Sequence, residues 1–255
     1  MEAFFSGAAY APHRHDTYSL GITLGGVQSF SYRGSYHNSE VGRCFVLHPD
    51  ELHDGQAGTE VGFRYRVAYI DPIDIQNVLG GKALPFIEGG ISSDPRLLRA
   101  ISALLSGFEH ELDELEYQDG IYDLAMALQQ VAGSDKQDNG NRHDYESAEM
   151  ARDFIVSHLD QAISLDTLEQ TTGRDRWKLS RDFRALFGTS PYRYLIMRRL
   201  DQVRGMMLNG SPAASAAFEA HFSDQSHMNR HFKKTYGLTP KQWLRTVRCE
   251  RPVLN

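Results

Sequence analysis

Cysteine is scarce in this chain: two residues in 255, Cys44 and Cys249, too far apart to match any metal or redox spacing. One disulfide between them is possible in principle, and free thiols in a reducing cytoplasm are the expectation. Long apolar runs are absent as well, since nothing approaches the roughly 20 residues that span a bilayer. The opening Met1-Glu2-Ala3-Phe4-Phe5-Ser6 lacks the basic start and apolar stretch of a secretory signal. Membrane insertion and export are therefore not expected, and a cytoplasmic location is. What remains is ordinary globular material, 41% hydrophobic and 24% charged, in a chain long enough for two domains.

The net charge of −6 conceals an asymmetry. Residues 146–255 carry 17 Lys and Arg against 12 Asp and Glu, a net +5, which leaves 10 against 21 and −11 for residues 1–145. An acidic front joined to a basic rear fits a nucleic-acid surface attached to something else better than a single-purpose enzyme.

From Tyr18 to Pro72, short segments rich in β-formers (Tyr18–Leu24, Gln28–Tyr32, Arg43–Leu47, Phe63–Ile70) are separated by Gly25-Gly26, Arg33-Gly34, Pro49-Asp50-Glu51 and Ala57-Gly58. That spacing predicts an antiparallel sandwich or small barrel. Residues 72–92 read as loop with a short helix. Asp94 then caps a helix with Pro95 at its first position and apolar residues through Leu97, Leu98, Ile101, Leu104, Leu105 and Phe108. A second helix carries Ile121, Leu124, Ala125 and Leu128. These two amphipathic helices can close the barrel's open end or pair with a second subunit, and the two roles are not exclusive. Residues 133–145 are polar, Gly/Asn-rich and aperiodic, as a linker is. The expected layout is 1–132 as front domain, 133–145 as linker and 146–255 as rear domain.

The rear domain repeats itself at an offset of 49 residues. Arg181, Phe183, Phe187, Gly188, Pro191 and Leu195 reappear as Arg230, Phe232, Tyr236, Gly237, Pro240 and Leu244. Every helix start is signalled: Ser164, Asp175, Ser190-Pro191, Ser223 and Thr239-Pro240 supply side chains that accept from first-turn N–H groups, or a proline that loses nothing there. Leu165–Gly173 followed by Asp175–Phe187 is helix-turn-helix grammar, and Ala213–Phe222 followed by Asp224–Tyr236 repeats it. In each second helix residues on or flanking an apolar side (Trp177, Leu179, Phe183 and Leu186; Met228, Phe232 and Tyr236) oppose a polar one. Arg176, Ser180, Arg181 and Arg184 project in the first copy, as do Gln225, Ser226, Asn229, Arg230 and Lys233 in the second. Arg can hold guanine, and Gln or Asn adenine, through paired hydrogen bonds. Lys178, Arg184, Lys233 and Lys234 suit phosphates. Two copies of a basic helical unit imply one long, negatively charged partner, double-stranded DNA.

The segment from about Ala148 to Thr246 resembles the DNA-binding domain of AraC/XylS-type transcription regulators. The resemblance rests on Phe222-Ser223-Asp224-Gln225-Ser226-His227-Met228-Asn229-Arg230-His231-Phe232-Lys233-Lys234-Thr235-Tyr236-Gly237 with Leu238-Thr239-Pro240, and on Leu179-Ser180-Arg181-Asp182-Phe183 with Phe187-Gly188-Thr189-Ser190-Pro191. It implies that Tyr192–Leu208 is the spacer between two recognition helices, and that Trp177, Ser180, Arg181, Gln225, Ser226, Asn229 and Arg230 meet bases. It also implies a homodimer, RNA polymerase as a partner and activation as the usual outcome. Two departures from the family pattern are Glu169 in the first supporting helix and, in the second unit, Ala213, Ala216 and Ala217 with His221 at a turn where Gly is usual. The first copy is therefore expected to dominate sequence choice.

In such regulators the front half is a cupin-like sensory barrel, so the expected fold is an all-β barrel with C-terminal helices followed by an all-α double helix-turn-helix domain. His13 and His15, at i and i+2, share one side of an extended strand, and His48 and His53 flank Pro49. Three readings stand for the pair: a flexible arm, hydrogen bonds to a small polar effector, or a metal site of the cupin kind. The Glu that the metal pattern wants after the histidine pair is missing, so no metal or cofactor is assigned. Phe63, Tyr65, Val67 and Tyr69 alternate along one face; Phe63 and Tyr65, with His13, His15 and His53, are the candidate effector residues. The function expected is an effector-controlled, non-enzymatic transcription regulator. The alternatives are a protein-controlled or ligand-independent regulator, or a metal-dependent cupin enzyme.

Overall fold

Alternation along the strands explains the layering of the front half. In a computed structural model, which describes residues 1–106, 112–133 and 143–249, the chain separates into two units, 1–145 with 181–189 and 146–180 with 190–255. Phe108 and linker residues 134–142 lie outside the described residues. Among the described residues no helix is long and apolar enough to cross a membrane.

The first unit contains β1 (Glu2–Phe5), β2 (Ala8–His13), β3 (Tyr18–Tyr32), β4 (Ser35–Glu40), β5 (Cys44–Leu47), β6 (His53–Ala57), β7 (Phe63–Ile70) and β8 (Ile91–Ser92). One sheet runs β1-β7-β3-β5-β8; β3 continues into a second, in which it pairs with β4 and β6, and β6 pairs with β2. Every pairing is antiparallel. Phe45, Leu47, Phe63, Tyr65 and Val67 bury with Phe30 and Tyr32 in one cluster. The alternate residues Tyr18, Leu20, Cys44, Val46 and Ile70 bury in another, with Ile75 of α1 (Pro72–Leu79) and with α2 (Pro95–Leu105) and α3 (Glu114–Val131). Of the two amphipathic helices, α2 covers a sheet face, and α3 packs on α2 and α1. Their apolar stripes (Leu97, Ile101, Leu104; Ile121, Leu124, Leu128) are buried in that core.

Three strand expectations need correction. Tyr18–Leu24 and Gln28–Tyr32 are one strand, β3, with a register shift between Thr23 and Gly25 against β7. Gly25-Gly26 is a bend where β3 changes partners, not a chain reversal: Gly26 takes φ +67°, and a side chain there would run into the Gly62 carbonyl. The N-terminal segment is paired strand rather than a flexible arm. Finally, Tyr69 does not share the burial of Phe63, Tyr65 and Val67; it is 51% exposed.

From Tyr145 the described chain is helical: α4 (Tyr145–Ser157), α5 (Leu165–Thr172), α6 (Arg176–Phe187), α7 (Pro191–Leu208), α8 (Ala213–Glu219), α9 (Gln225–Tyr236) and α10 (Pro240–Cys249). The caps fall where the sequence puts them, at Ser164 and Ser190, with one shift: Asp224, not Ser223, caps α9. Met228 and Phe232 of α9 bury against Ile196, Leu200 and Val203 of α7 and Ala216 and Ala217 of α8. The alanines of α8 are what lets the helices approach closely, because a larger side chain there would hold them apart.

Candidate nucleic-acid interface and effector site

Asp175 Oδ1 accepts from the Trp177 and Lys178 amides at 3.2 and 3.1 Å, which starts α6. With Leu179 and Phe183 buried, the opposite stripe at i, i+4 and i+7 is Trp177, Arg181 and Arg184. Trp177 is 71% exposed, an unusual state for the largest apolar side chain. Two of the expected contacts are placed differently from their neighbours. Ser180 is buried. Arg176 donates to Glu169 Oε2 at 2.7 Å and also pairs with Asp166. The unusual Glu169 thereby gains a partner, and Arg176 is held against α5 rather than presented outward.

In α9, Asp224 Oδ1 accepts from the His227 amide at 2.7 Å, and this bond holds the Asp224 carboxyl below the usual carboxylate range. Gln225, Ser226, Arg230, Lys233 and Lys234 are exposed, and Asn229 is half-buried with its Oδ1 unpaired. Asn229, Arg230, Lys233 and Lys234, with Thr239 at the cap of α10, line an open groove of about 520 Å³. Three cations beside a helix N-terminus suit a phosphate.

Arg199 of α7 is a residue that sequence reasoning passed over. It is 8% exposed, and its guanidinium donates to the carbonyls of Leu159 (2.9 Å), His221 (3.2 Å) and Gln161 (2.6 Å). His221 does adopt positive φ, 57°. Its carbonyl is fixed by Arg199, so the non-glycine turn before α9 has external support. Nothing in a run of arginines marks which one turns inward.

In the first unit the structure brings His13, His15 and His53 together. His13 and His53 face each other across the β2–β6 pair. Ring centroids lie 4.4 Å (His13–His53), 4.9 Å (His15–His53) and 5.9 Å (His13–His15) apart. The Nδ1 atoms contact the carbonyls of Ala11 (2.9 Å), Thr17 (2.9 Å) and Glu51 (3.0 Å) respectively. A carbonyl only accepts, so each Nδ1 carries the proton and each Nε2 keeps its lone pair. Burial, reinforced by the neighbouring rings, pushes His53 down to about 2 and His15 to about 4, and burial lowers His13 too. All three are neutral at pH 7. Ser19 Oγ is 2.8 Å from His15 Nε2. Tyr69 stands edge-on to His15, and Tyr10 edge-on to both His13 and His53.

The Tyr10 hydroxyl accepts from Gln28 Nε2 at 3.2 Å, and the buried Gln28 Oε1 has no partner. Phe63 and Tyr65 stack on Phe5, which meets Tyr10, so they support the cluster from inside the core without touching the histidines. His48 lies elsewhere, between Tyr18 and Phe86. Tyr10 was missed because Ala8–His13, with its alanines and Pro12, has little strand character of its own; Gln28 lies in a segment read as strand, and nothing local marks its pairing with Tyr10.

Comparison with known proteins matches both halves. A model described as an AraC-like ligand binding domain matches residues 2–125, and a helix-turn-helix domain model matches 168–246. The HTH-type transcriptional regulator YbfI of Bacillus subtilis (strain 168) is 23% identical over 220 residues, 85% of this chain and 80% of its own. The right origin-binding protein of Escherichia coli (strain K12) is 30% identical over 105 residues; that match spans 40% of this chain and 36% of the relative. Among solved structures, ToxT from Vibrio cholerae O395 bound to (E)-4-(8-methylnaphthalen-1-yl)but-3-enoic acid aligns over 96% of this chain and 97% of its own, with TM-score 0.65 and 12% identity. That likeness speaks to the fold. The ligand-binding and helix-turn-helix matches lead to one conclusion: the chain belongs to the AraC family, DNA-binding transcription regulators with an N-terminal ligand-binding domain.

Proposed function

We propose that this regulator activates transcription from specific operators when a small polar effector occupies its N-terminal barrel. Residues 1–132 form the sensing and dimerising part, 133–145 the linker and 146–255 the part that grips DNA in the cytoplasm. Trp177, Arg181, Gln225, Ser226, Asn229 and Arg230 read bases, while Lys178, Arg184, Lys233 and Lys234 hold phosphates. Ser180 and Arg176 support α6 from its inner side. The observation that carries the reading is the pairing of capped helices, each with its apolar side buried and an exposed stripe of Arg, Lys, Gln or Trp.

The effector side rests on the unpartnered Gln28 Oε1, which accepts a hydrogen bond from a hydroxyl or amide group near the His13, His15 and His53 cluster. Activation proceeds through RNA polymerase, and the effector must favour one state of the homodimer over the other by differential affinity. Genome-wide occupancy of the tagged protein tests this. Discrete sites are expected, beside genes whose small-molecule substrates alter the affinity of the purified protein for a recovered site. Binding spread evenly along DNA would refute the operator reading. Affinity unmoved by any of those molecules would refute effector control.

A further inference from the structure

We propose that His13, His15 and His53 form a binding site for one divalent first-row transition-metal ion of the zinc, cobalt or nickel class. One ring nitrogen from each histidine lies within 4.8 Å of the other two. The stronger observation is what holds the rings. All three Nδ1 atoms are committed to backbone carbonyls, of Ala11, Thr17 and Glu51. Metal-binding histidines have this outer shell almost without exception, because a bond at one nitrogen fixes the tautomer and aims the other. Since the partners are main-chain atoms, the orientation is built into β2, β6 and the turns beside them.

The donor set decides the class of ion. Three neutral imidazoles with no carboxylate disfavour the oxygen-seeking Mg²⁺, Ca²⁺ and Mn²⁺ and favour the borderline ions. The Ser19 hydroxyl contacts His15 Nε2 at 2.8 Å; a bound ion replaces that contact. Nitrogens bonded at about 2.0–2.1 Å around a zinc-like ion stand somewhat over 3 Å apart, so the triad contracts by roughly 1 Å on loading. His13 and His15 are partly exposed, giving a route in, while His53 is buried. Three protein ligands leave at least one position for water or for an oxygen of the effector.

Metal uptake itself does not depend on the regulatory reading; only its consequence for transcription rests on the barrel being the sensing half. The full chain, stripped with chelator and dialysed, is titrated with Co²⁺ and followed by visible absorption and equilibrium dialysis. One Co²⁺ per chain is expected, with the intense visible bands of low-coordinate cobalt and displacement by equimolar Zn²⁺. His15→Gln and His53→Gln should each weaken Co²⁺ binding by about 10-fold or more, with circular dichroism unchanged. If His53→Gln fails to fold, His13→Gln at the rim decides alone by the same criterion. Absence of stoichiometric uptake overturns the site, as does wild-type affinity in the folded variants. Operator binding by the same preparations reports separately on the regulator reading, so loss of one does not imitate loss of the other.

Discussion

Replacing Arg199 by Met removes a buried cation while keeping much of its aliphatic stem. Three guanidinium bonds disappear, to Leu159, Gln161 and His221. Bonds to a charged group contribute about 1.5–3 kcal/mol each, so the gross loss exceeds 4 kcal/mol. Two effects offset part of it. Arg199 no longer suffers desolvation, the burial that lowers its pKa, and the residues carrying two of the freed carbonyls, Gln161 and His221, are exposed enough for water to replace the guanidinium. A net destabilisation of about 3 kcal/mol follows, which for a unit of roughly 100 residues lowers the melting midpoint by about 15 °C. The assay is built into the chain, since the two tryptophans, Trp177 and Trp243, both belong to the second unit. Thermal unfolding followed by tryptophan fluorescence therefore isolates the half that Arg199 holds. Arg199→Lys, which keeps the charge but loses the fork, should fall between wild type and Met. A midpoint for Arg199→Met within about 3 °C of wild type would refute the assignment of Arg199 as the clamp on the His221 turn.

Arg181→Ala and Arg230→Ala should each weaken specific operator binding by about 1–3 kcal/mol and relax preference at one base position; unchanged affinity in both would sink the two-helix grip. Lys233→Ala should weaken binding to all sequences alike and lower the salt slope by about one, and a sequence-selective loss would contradict its phosphate role. In chelator, the first unit should lose stability as pH falls from 7 to 5.5. His15, His48 and His53 have folded values of about 4, about 4 and about 2, so below the unfolded value near 6.5 only the unfolded chain takes up protons. That costs about 1.2 kcal/mol for each histidine, is absent above pH 7 and levels off only near the folded values. Calorimetry showing no acid shift in the first transition, or the same shift in a His15→Gln/His53→Gln double variant, would refute it.

Helix starts were legible because caps are local chemistry. Asp94, Ser164, Asp175 and Ser190 each bond an amide two or three residues ahead, and the chain announces this without tertiary help. The β-half was legible only in outline. Phe63–Ile70 carries its own alternation and emerged intact, whereas β6, His-Asp-Gly-Gln-Ala, is a strand because β2 and β3 flank it. The site suffers from the same dependence. Each histidine stood out singly, but opposition of His13 and His53 is a matter of register between segments 40 residues apart. The carbonyls at Nδ1 come from β2 (Ala11) and from connecting segments (Thr17, Glu51) whose path the sequence does not place.

The relative weight of the two recognition helices changes once side chains are located. A non-glycine turn and an alanine-rich support argue from sequence for a weaker second copy. Yet α8 uses its alanines for close packing, and the His221 carbonyl is fixed by Arg199. The first copy, meanwhile, commits Arg176 to Glu169 and Asp166 and buries Ser180. Trp177 and Arg181 remain for the bases there, against Gln225, Ser226, Asn229 and Arg230 in α9. Hydrogen-bonding side chains discriminate bases, and an indole mainly supplies apolar contact with a thymine methyl or sugar. On that inventory α9 carries at least as much of the sequence choice as α6. Substituting Gln225 and Arg230 together should then relax operator preference more than substituting Trp177 and Arg181, and the reverse order in a randomised-operator selection would return the dominant role to α6.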